Sequence, residues 1–120
     1  KTFAESFPVG ILGGRIILYG AGKYGNSLYD ILAACKDRKV VQWIDRNYEN
    51  IEETKMTLAG LEALGQVEYD CVLIGVVSEE SAQEIRAELI RRGIPAWKIY
   101  WLGKREVNQY LVWNQMFRWL

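Results

Sequence analysis

The sequence predicts an α/β domain organised around a parallel β-sheet, and three observations support this prediction. Short apolar runs of strand length begin near Arg15, Lys39 and Tyr69. Stretches with apolar residues at helical spacing alternate with these runs, and short loops join the two kinds of segment. A glycine-rich loop directly follows the first run. We therefore expect a three-layer, doubly wound parallel sheet of about five strands in the order 3-2-1-4-5.

The composition restricts the class of protein. Of the 120 residues, half are apolar and a quarter are charged, which is typical of one soluble globular domain. Lys and Arg total 15, as do Asp and Glu, so no net charge attracts nucleic acid. The longest apolar stretches are too short to cross a bilayer, so we expect no membrane segment.

Histidine and cysteine limit the chemistry that the chain can perform. Histidine is the commonest general base and metal ligand, and the sequence contains none, so we expect no bound metal. Cys35 and Cys71 fall in a predicted helix and a predicted strand, which indicates buried thiols in a reducing cytoplasm rather than a disulfide. Because the chain starts at Lys1 rather than Met, we also expect an excised domain.

The predicted elements follow from hydrophobic spacing and from turn signals. In the first half they are a lead-in segment at 1–14, a strand at 15–19, a helix at 24–36, a strand at 39–44, an irregular connection at 46–53, a short strand around 55–57 and a brief helix at 58–64. In the second half they are a strand at 69–77, a helix between Ser78 and Gly93, a strand at 98–102 and a helix at 105–120. The domain itself is therefore expected to span 15–120.

The last predicted helix carries more apolar surface than one ordinary packing face needs. Its large side chains include Trp113, Phe117 and Trp119. We expect this helix to pack on the sheet and also to contact a partner domain or a second copy of the chain, which makes a homodimer one expected assembly.

A glycine loop follows the first strand and opens the first helix, and its residues are Gly20, Ala21, Gly22, Lys23, Tyr24 and Gly25. This setting is that of the phosphate-binding loop in Rossmann-like folds. Gly20 permits the tight turn, Gly22 leaves room for a pyrophosphate, and Gly25 lets the helix pack closely on the sheet. Backbone N–H groups after Gly22 then face the anion at the positive end of the helix dipole. The alternative is a tight turn whose glycines serve packing alone.

Asp45 follows Gly25 by 20 residues, at the end of the second predicted strand. This is the spacing of the acid that binds ribose hydroxyls in dinucleotide-binding folds, and the alternative is a capping or turn residue. A carboxylate there favours NAD over NADP, whereas Arg46 beside it would favour NADP, so both cofactors stay open. Lys23 is either a phosphate contact or a solvated side chain, and we expect Tyr24 to pack rather than to bind.

Ligands of open α/β sheets bind in the crevice beyond the carboxyl ends of the central strands. We expect Gly75, Val76 and Val77 to form the wall of this crevice opposite the glycine loop. Ser78 follows them and is expected to cap the next helix, with a ligand contact as the alternative.

No catalytic group is assigned from the sequence. Tyr100 and Lys104 have the spacing of the tyrosine–lysine pair of short-chain dehydrogenases, but the match straddles a strand end and a glycine. The two side chains would not share a helix face, so we interpret the match as a coincidence. Whether the chain is an enzyme therefore stays open.

Five segments, 19–25, 41–45, 69–75, 93–95 and 98–100, carry a resemblance to a known family. Over residues 15–102 the chain resembles the small Rossmann-like domains of bacterial surface-polysaccharide biosynthesis enzymes. These include the nucleotide-binding domains of nucleoside-diphosphate-sugar dehydratases and epimerases, the sugar-nucleotide-binding domains of sugar acetyltransferases, and domains fused to glycosyl- or phosphocholine transferases. The resemblance implies binding of NAD(P) or a nucleotide sugar, with the binding residues Gly20, Gly22, Gly25 and Asp45.

Three functional hypotheses result. The first is an NAD(P)-binding module of a sugar-nucleotide oxidoreductase or dehydratase. The second is a non-catalytic domain that binds a nucleotide sugar, or that serves assembly, attached to a glycosyl- or phosphotransferase. The third is a methyltransferase fragment, in which the acid after the second strand holds the ribose of S-adenosylmethionine.

Overall fold

Five strands form a single parallel sheet in the computed structural model, which describes residues 14–102. The strands are β1 (Arg15–Tyr19), β2 (Lys39–Ile44), β3 (Leu58–Ala59), β4 (Cys71–Ile74) and β5 (Ile99–Trp101). Their spatial order is β3-β2-β1-β4-β5, and every neighbouring pair is parallel. The predicted α/β class and the order 3-2-1-4-5 are confirmed. The first thirteen residues of the expected lead-in segment and the helix predicted at 105–120 lie outside the described residues.

Two helices cover opposite faces of the sheet. Helix α1 (Lys23–Ala33) connects β1 to β2, and helix α2 (Glu79–Arg91) connects β4 to β5. The large apolar side chains that α1 buries are Leu28, Ile31 and Leu32, and the apolar side chains that α2 buries are Ala82, Ile85 and Leu89. Each set joins a separate core cluster, so we call the two sides of the sheet the α1 face and the α2 face.

The central strands β1 and β4 are buried on both faces. Every residue of β4 is buried, and in β1 only Arg15 is exposed. Ile16 and Leu18 pack on the α1 face, whereas Ile17 and Tyr19 pack on the α2 face. Because both faces of these two strands are buried, their buried residues are apolar without alternation, as the sequence shows.

The β3 edge of the sheet differs from the prediction. The strand lies at Leu58–Ala59 rather than around 55–57, and the helix predicted at 58–64 is only a single 3-10 turn. Leu58 packs into the α1-face core, whereas Leu61 packs against the α2-face core. The spacing of these leucines imitates a helix, but the chain crosses from one face of the sheet to the other between them.

The remaining predicted elements keep their type but have different ends. Helix α1 ends at Ala33 rather than at 36, and β4 occupies only the centre of the run predicted at 69–77. The connection predicted at 46–53 contains a 3-10 turn at Tyr48–Asn50. Within residues 14–102, no helix combines the length and the apolar character that crossing a membrane requires.

Helix α2 has a capped start and a glycine stop, as predicted. The Ser78 hydroxyl oxygen accepts a hydrogen bond from the backbone N–H of Ser81 at 3.2 Å, which is an N-cap interaction. Glu79 and Glu80 add negative charge to the first turn, where the helix dipole favours it. Gly93 follows the helix with φ of +97°, a conformation that glycine adopts without strain.

An ion pair joins β1 to the residue that precedes β4. The Asp70 carboxylate accepts hydrogen bonds from the backbone N–H of Arg15 at 2.8 Å and from a terminal guanidinium nitrogen of Arg15 at 3.0 Å. These bonds from Arg15 lower the pKa of Asp70 from 3.8 to about 2. Glu68 accepts a further hydrogen bond from the same guanidinium at 2.9 Å.

We predict that Asp70 makes the stability of the domain dependent on acid pH. The pKa of Asp70 is lower in the folded chain than its ordinary value, so its contribution is complete above about pH 4 and is lost as the pH falls towards about 2. The difference in free energy of unfolding between the wild type and Asp70→Asn, measured by urea denaturation, should shrink over this range. Asp30→Asn is the control, because its ion pair with Lys55 is exposed and contributes little. A wild-type advantage over Asp70→Asn that is unchanged at pH 2 would contradict the prediction.

Candidate functional site

The glycine loop lies at the carboxyl edge of the sheet, between β1 and α1. Two of its glycines are required by the fold itself. A Cβ atom at Gly20, whose φ is +110°, would lie 2.8 Å from the carbonyl oxygen of Gly75. A Cβ atom at Gly25 would overlap the carbonyl oxygen of Gly20. The chain therefore achieves this close approach of β1, α1 and β4 only because these positions carry no side chain.

Gly22 differs from its two neighbours in the motif. Within residues 14–102, a Cβ atom at Gly22 would have no atom within 4 Å apart from those of its two chain neighbours, and its φ of −76° is accessible to any residue. Gly22 is also the N-cap of α1, and no side chain caps this helix. The first turn of α1 contains Lys23 and no acidic residue, in contrast to α2. The positive end of α1 thus faces open space.

Trp43 of β2 holds the glycine loop by a hydrogen bond from the α1-face core. Its indole Nε1–H donates a hydrogen bond of 2.7 Å to the carbonyl oxygen of Gly20. The backbone N–H of Gly20 in turn donates a hydrogen bond of 2.7 Å to the carbonyl oxygen of Ile44 in β2. Trp43 is fully buried and stacks on Tyr29 of α1, with ring centroids 4.5 Å apart. The Asn26 side-chain amide donates to the carbonyl oxygens of Ala21 and Gly22, at 2.9 Å each.

A β-bulge in β2 explains how Trp43 reaches the loop. Ile16 pairs with Val40 and the next residue of β1 pairs with Gln42, so Val41 is an extra residue in β2. A regular strand would place residues 40 and 43 on opposite faces. The bulge places both Val40 and Trp43 in the α1-face core, where the indole meets the glycine loop.

Asp45 ties the glycine loop to the end of β2. One carboxylate oxygen accepts a hydrogen bond from the backbone N–H of Ala21 and the other accepts one from the backbone N–H of Asn47, both at 2.7 Å. The contact with Asn47 is that of a turn residue, which the sequence left open as the alternative for Asp45, whereas the contact with Ala21 was not predicted. The ribose contact stays a prediction. Since a carboxylate oxygen has two acceptor lone pairs, each can still accept a bond from a ligand hydroxyl.

The opposite wall of the crevice follows β4. Gly75 lies behind the glycine loop, where a Cβ atom would approach Tyr19 and Gly25 to 3.1 and 3.2 Å. The Val76 carbonyl oxygen accepts a hydrogen bond of 2.8 Å from the indole Nε1–H of Trp101 in β5. Val77 is 48% exposed, and Ser78 caps α2. An indole from the neighbouring strand therefore supports each wall.

An open cavity of about 250 Å³ lies between the end of β2 and the first turns of α2. Its lining residues are Tyr19, Gly20, Asp45, Arg46, Asn47, Val76, Ser81, Glu84 and Ile85. Four predicted site residues, Gly20, Asp45, Arg46 and Val76, therefore meet at one cavity. The rest of the glycine loop, from Ala21 to Gly25, does not line the cavity but continues from Gly20, which does. The predicted residues Gly75 and Val77 do not line the cavity either.

Sequence reasoning missed the contribution of α2 to the cavity. Ser81, Glu84 and Ile85 have helical spacing and lie on the side of α2 that faces the crevice. The sequence contained this signal, but it was used only to predict the helix itself. Tyr19 was also missed: its side chain is 4% exposed, and burial raises the pKa of its phenol while Arg46 opposes the shift.

The other aromatic candidates have structural contacts. Tyr24 packs against the α1-face core and its hydroxyl donates a hydrogen bond of 2.8 Å to the carbonyl oxygen of Leu102. Tyr100 belongs to β5 rather than to a helix, and Lys104 lies outside the described residues. Among residues 14–102, no cluster of three or more Cys, Asp or Glu side chains is suited to hold a metal ion.

One comparison with known proteins gives a match. The model of the family described as C2185-like, N-terminal, matches residues 13–100, which include the whole glycine loop and the cavity. No curated protein and no solved structure matches the chain.

We predict that the two glycines of the loop differ in their structural importance. Gly25→Ala should lower the free energy of unfolding by roughly 3 kcal/mol or more, because the new Cβ overlaps the Gly20 carbonyl oxygen. Gly22→Ala should lower it by less than about 1 kcal/mol, since only the quality of the helix cap changes. Urea denaturation of both variants measures the difference, and equal losses would contradict the described loop geometry.

We also predict that Trp43→Phe destabilises the domain by about 2 to 4 kcal/mol, because the smaller ring leaves a cavity and the buried Gly20 carbonyl loses its donor. Trp97→Phe is the matched control. Trp97 is 72% exposed, so its substitution should change the free energy of unfolding by no more than about 0.5 kcal/mol. Thermal and urea unfolding measure the stability of both variants. If Trp43→Phe is as stable as the control, Trp43 does not anchor the glycine loop.

Proposed function

We propose that this chain, which belongs to the C2185-like N-terminal family, binds the phosphates of a nucleotide-type ligand on its glycine loop. The candidate ligands are NAD, NADP and nucleotide sugars, all of which contain a diphosphate. The expected setting is a bacterial sugar-nucleotide or surface-polysaccharide biosynthesis protein, as the resemblance implies. The proposal concerns binding and assigns no reaction.

The observation that carries the proposal is the open space around Gly22. The fold accounts for Gly20 and Gly25 by close backbone contacts, but nothing in the described protein requires a glycine at position 22. A side chain there would project from the first turn of α1, where an anion would approach the backbone. Absence of a side chain at this point is what a bound diphosphate needs.

The local charge supports an anionic ligand. Helix N-termini attract anions through their free N–H groups and their dipole, and among the described residues no side chain caps α1, although the Asp45 carboxylate bonds Ala21 just before the N-cap. Lys23 adds a positive charge in the first turn of the same helix. Helix α2 differs, because a serine caps its N-terminus and two glutamates in its first turn add negative charge there.

The position of Asp45 supports a ribose next to the diphosphate. Its carboxylate borders both the glycine loop and the cavity, so a ligand with its phosphates at Gly22 would extend past Asp45. This order, phosphate and then a hydroxyl-bearing ring, is that of a nucleoside diphosphate. Cys71 is a buried free thiol, which supports a cytoplasmic setting, where such ligands are made.

We predict that calorimetric titration with NAD, NADP, a UDP-sugar and S-adenosylmethionine detects binding of at least one diphosphate ligand. Gly22→Val should weaken that binding at least about 30-fold, or roughly 2 kcal/mol, because its side chain fills the space above the loop. Lys23→Gln should weaken binding about five- to tenfold through loss of one charge-assisted contact. Lys36→Gln, an exposed lysine beyond the other end of α1, is the matched control and should have no effect.

The outcomes separate the alternatives. Binding of NAD or NADP alone supports a redox module, and binding of the UDP-sugar alone supports a sugar-nucleotide recognition domain. Binding of S-adenosylmethionine alone, or of no ligand, would overturn the diphosphate proposal. Unfolding curves of Gly22→Val establish that a loss of binding is not a loss of fold.

A further inference from the structure

The cavity beside the glycine loop has a carboxylate on the wall formed by α2. Glu84 lies one helical turn after Ser81 and directly before Ile85, and all three residues line the cavity. The wall across from them is formed by Asp45, Arg46 and Asn47 at the end of β2. The α2 wall therefore combines an apolar side chain with two groups that can form hydrogen bonds.

Glu84 differs from the next glutamate along the same side of α2. Glu88 is neutralised by two guanidinium groups, with Arg91 at 2.6 Å and Arg92 at 2.8 Å. In the described part of the chain, Glu84 forms no ion pair. Its negative charge is therefore available to a ligand in the cavity.

The covalent order of a nucleotide fits the order of these groups. With the phosphates at Gly22 and the ribose at Asp45, the base is the part of the ligand that reaches the cavity. The buried side chain of Ile85 and the half-buried Val76 offer apolar contacts for the flat base, and Glu84 lies at the rim. This placement rests on the proposed function.

An ionised carboxylate is only a hydrogen-bond acceptor. Adenine carries an exocyclic amino group, which donates to such an acceptor. Uracil has a carbonyl oxygen at the corresponding position, and the one N–H group on that edge of its ring lies between two carbonyl oxygens, which repel a carboxylate that approaches it. Glu84 would therefore discriminate between the two bases by their polarity at one edge.

We infer that Glu84 is a specificity-determining residue, and that the nucleotide bound at the glycine loop carries an amino-bearing base of the adenine type rather than uracil. Among the candidate ligands, this inference favours NAD or NADP over a UDP-sugar.

The test compares binding of ADP and UDP to the full 120-residue chain by calorimetry. The wild type should bind ADP about tenfold more tightly than UDP. In Glu84→Gln the preference should fall to about twofold or less, mainly because UDP gains affinity, since a glutamine amide can both donate and accept. Glu80→Gln is the matched control: it removes the same charge from the same helix at a residue that does not line the cavity, and should keep the preference of the wild type.

Three results would overturn the inference, and they distinguish its failure from that of the proposed function. If ADP and UDP bind the wild type equally, or if Glu84→Gln keeps the preference while Gly22→Val still abolishes binding, Glu84 does not read the base and the phosphate loop proposal survives. If neither ADP nor UDP binds the wild type, this inference fails, and if NAD, NADP and the UDP-sugar do not bind either, the phosphate loop proposal fails with it. Glu84 is exposed, so an unchanged unfolding midpoint of Glu84→Gln confirms that the comparison concerns binding.

Discussion

The hydrogen bond from the buried indole of Trp43 to the carbonyl oxygen of Gly20 connects the elements that form the crevice. The backbone around Gly20 meets β2 through Trp43 and Ile44, α1 through the close contact with Gly25, and β4 through the carbonyl of Gly75. One glycine at the end of β1 is thus the point at which three other elements are held together. The position of the candidate site follows from this contact, because the loop cannot move without separating the strands beneath it.

The two walls of the crevice are supported in the same way, by a tryptophan from the neighbouring outer strand. Trp43 of β2 supports the glycine loop, and Trp101 of β5 supports the carbonyl of Val76. Indole is suited to this task because it buries a large apolar surface and still has one N–H group to donate. The same side chains that fill the two cores therefore also satisfy backbone carbonyls at the crevice.

The sequence predicted the sheet order and the glycine loop because both depend on local signals, namely apolar runs of strand length and glycines at defined positions. It did not predict the bulge at Val41, since an extra residue in a strand changes pairing without changing the apolar pattern. The edge strand at Leu58–Ala59 was misplaced because two residues leave too short a pattern. Glu84 was missed because its role depends on which side of α2 faces β2, and that is settled only by the packing of the helix on the sheet.

The contacts of Asp45 have a consequence for the energetics of recognition. Its carboxylate holds the backbone of Ala21 and Asn47, so the chain itself connects the loop to the turn after β2. A preorganised site loses little conformational entropy when it is filled, and that entropy is a large opposing contribution in flexible sites. For the proposed ligand, the loss of freedom on binding would therefore fall mainly on its rotatable diphosphate, which would have to adopt the shape that the loop accepts.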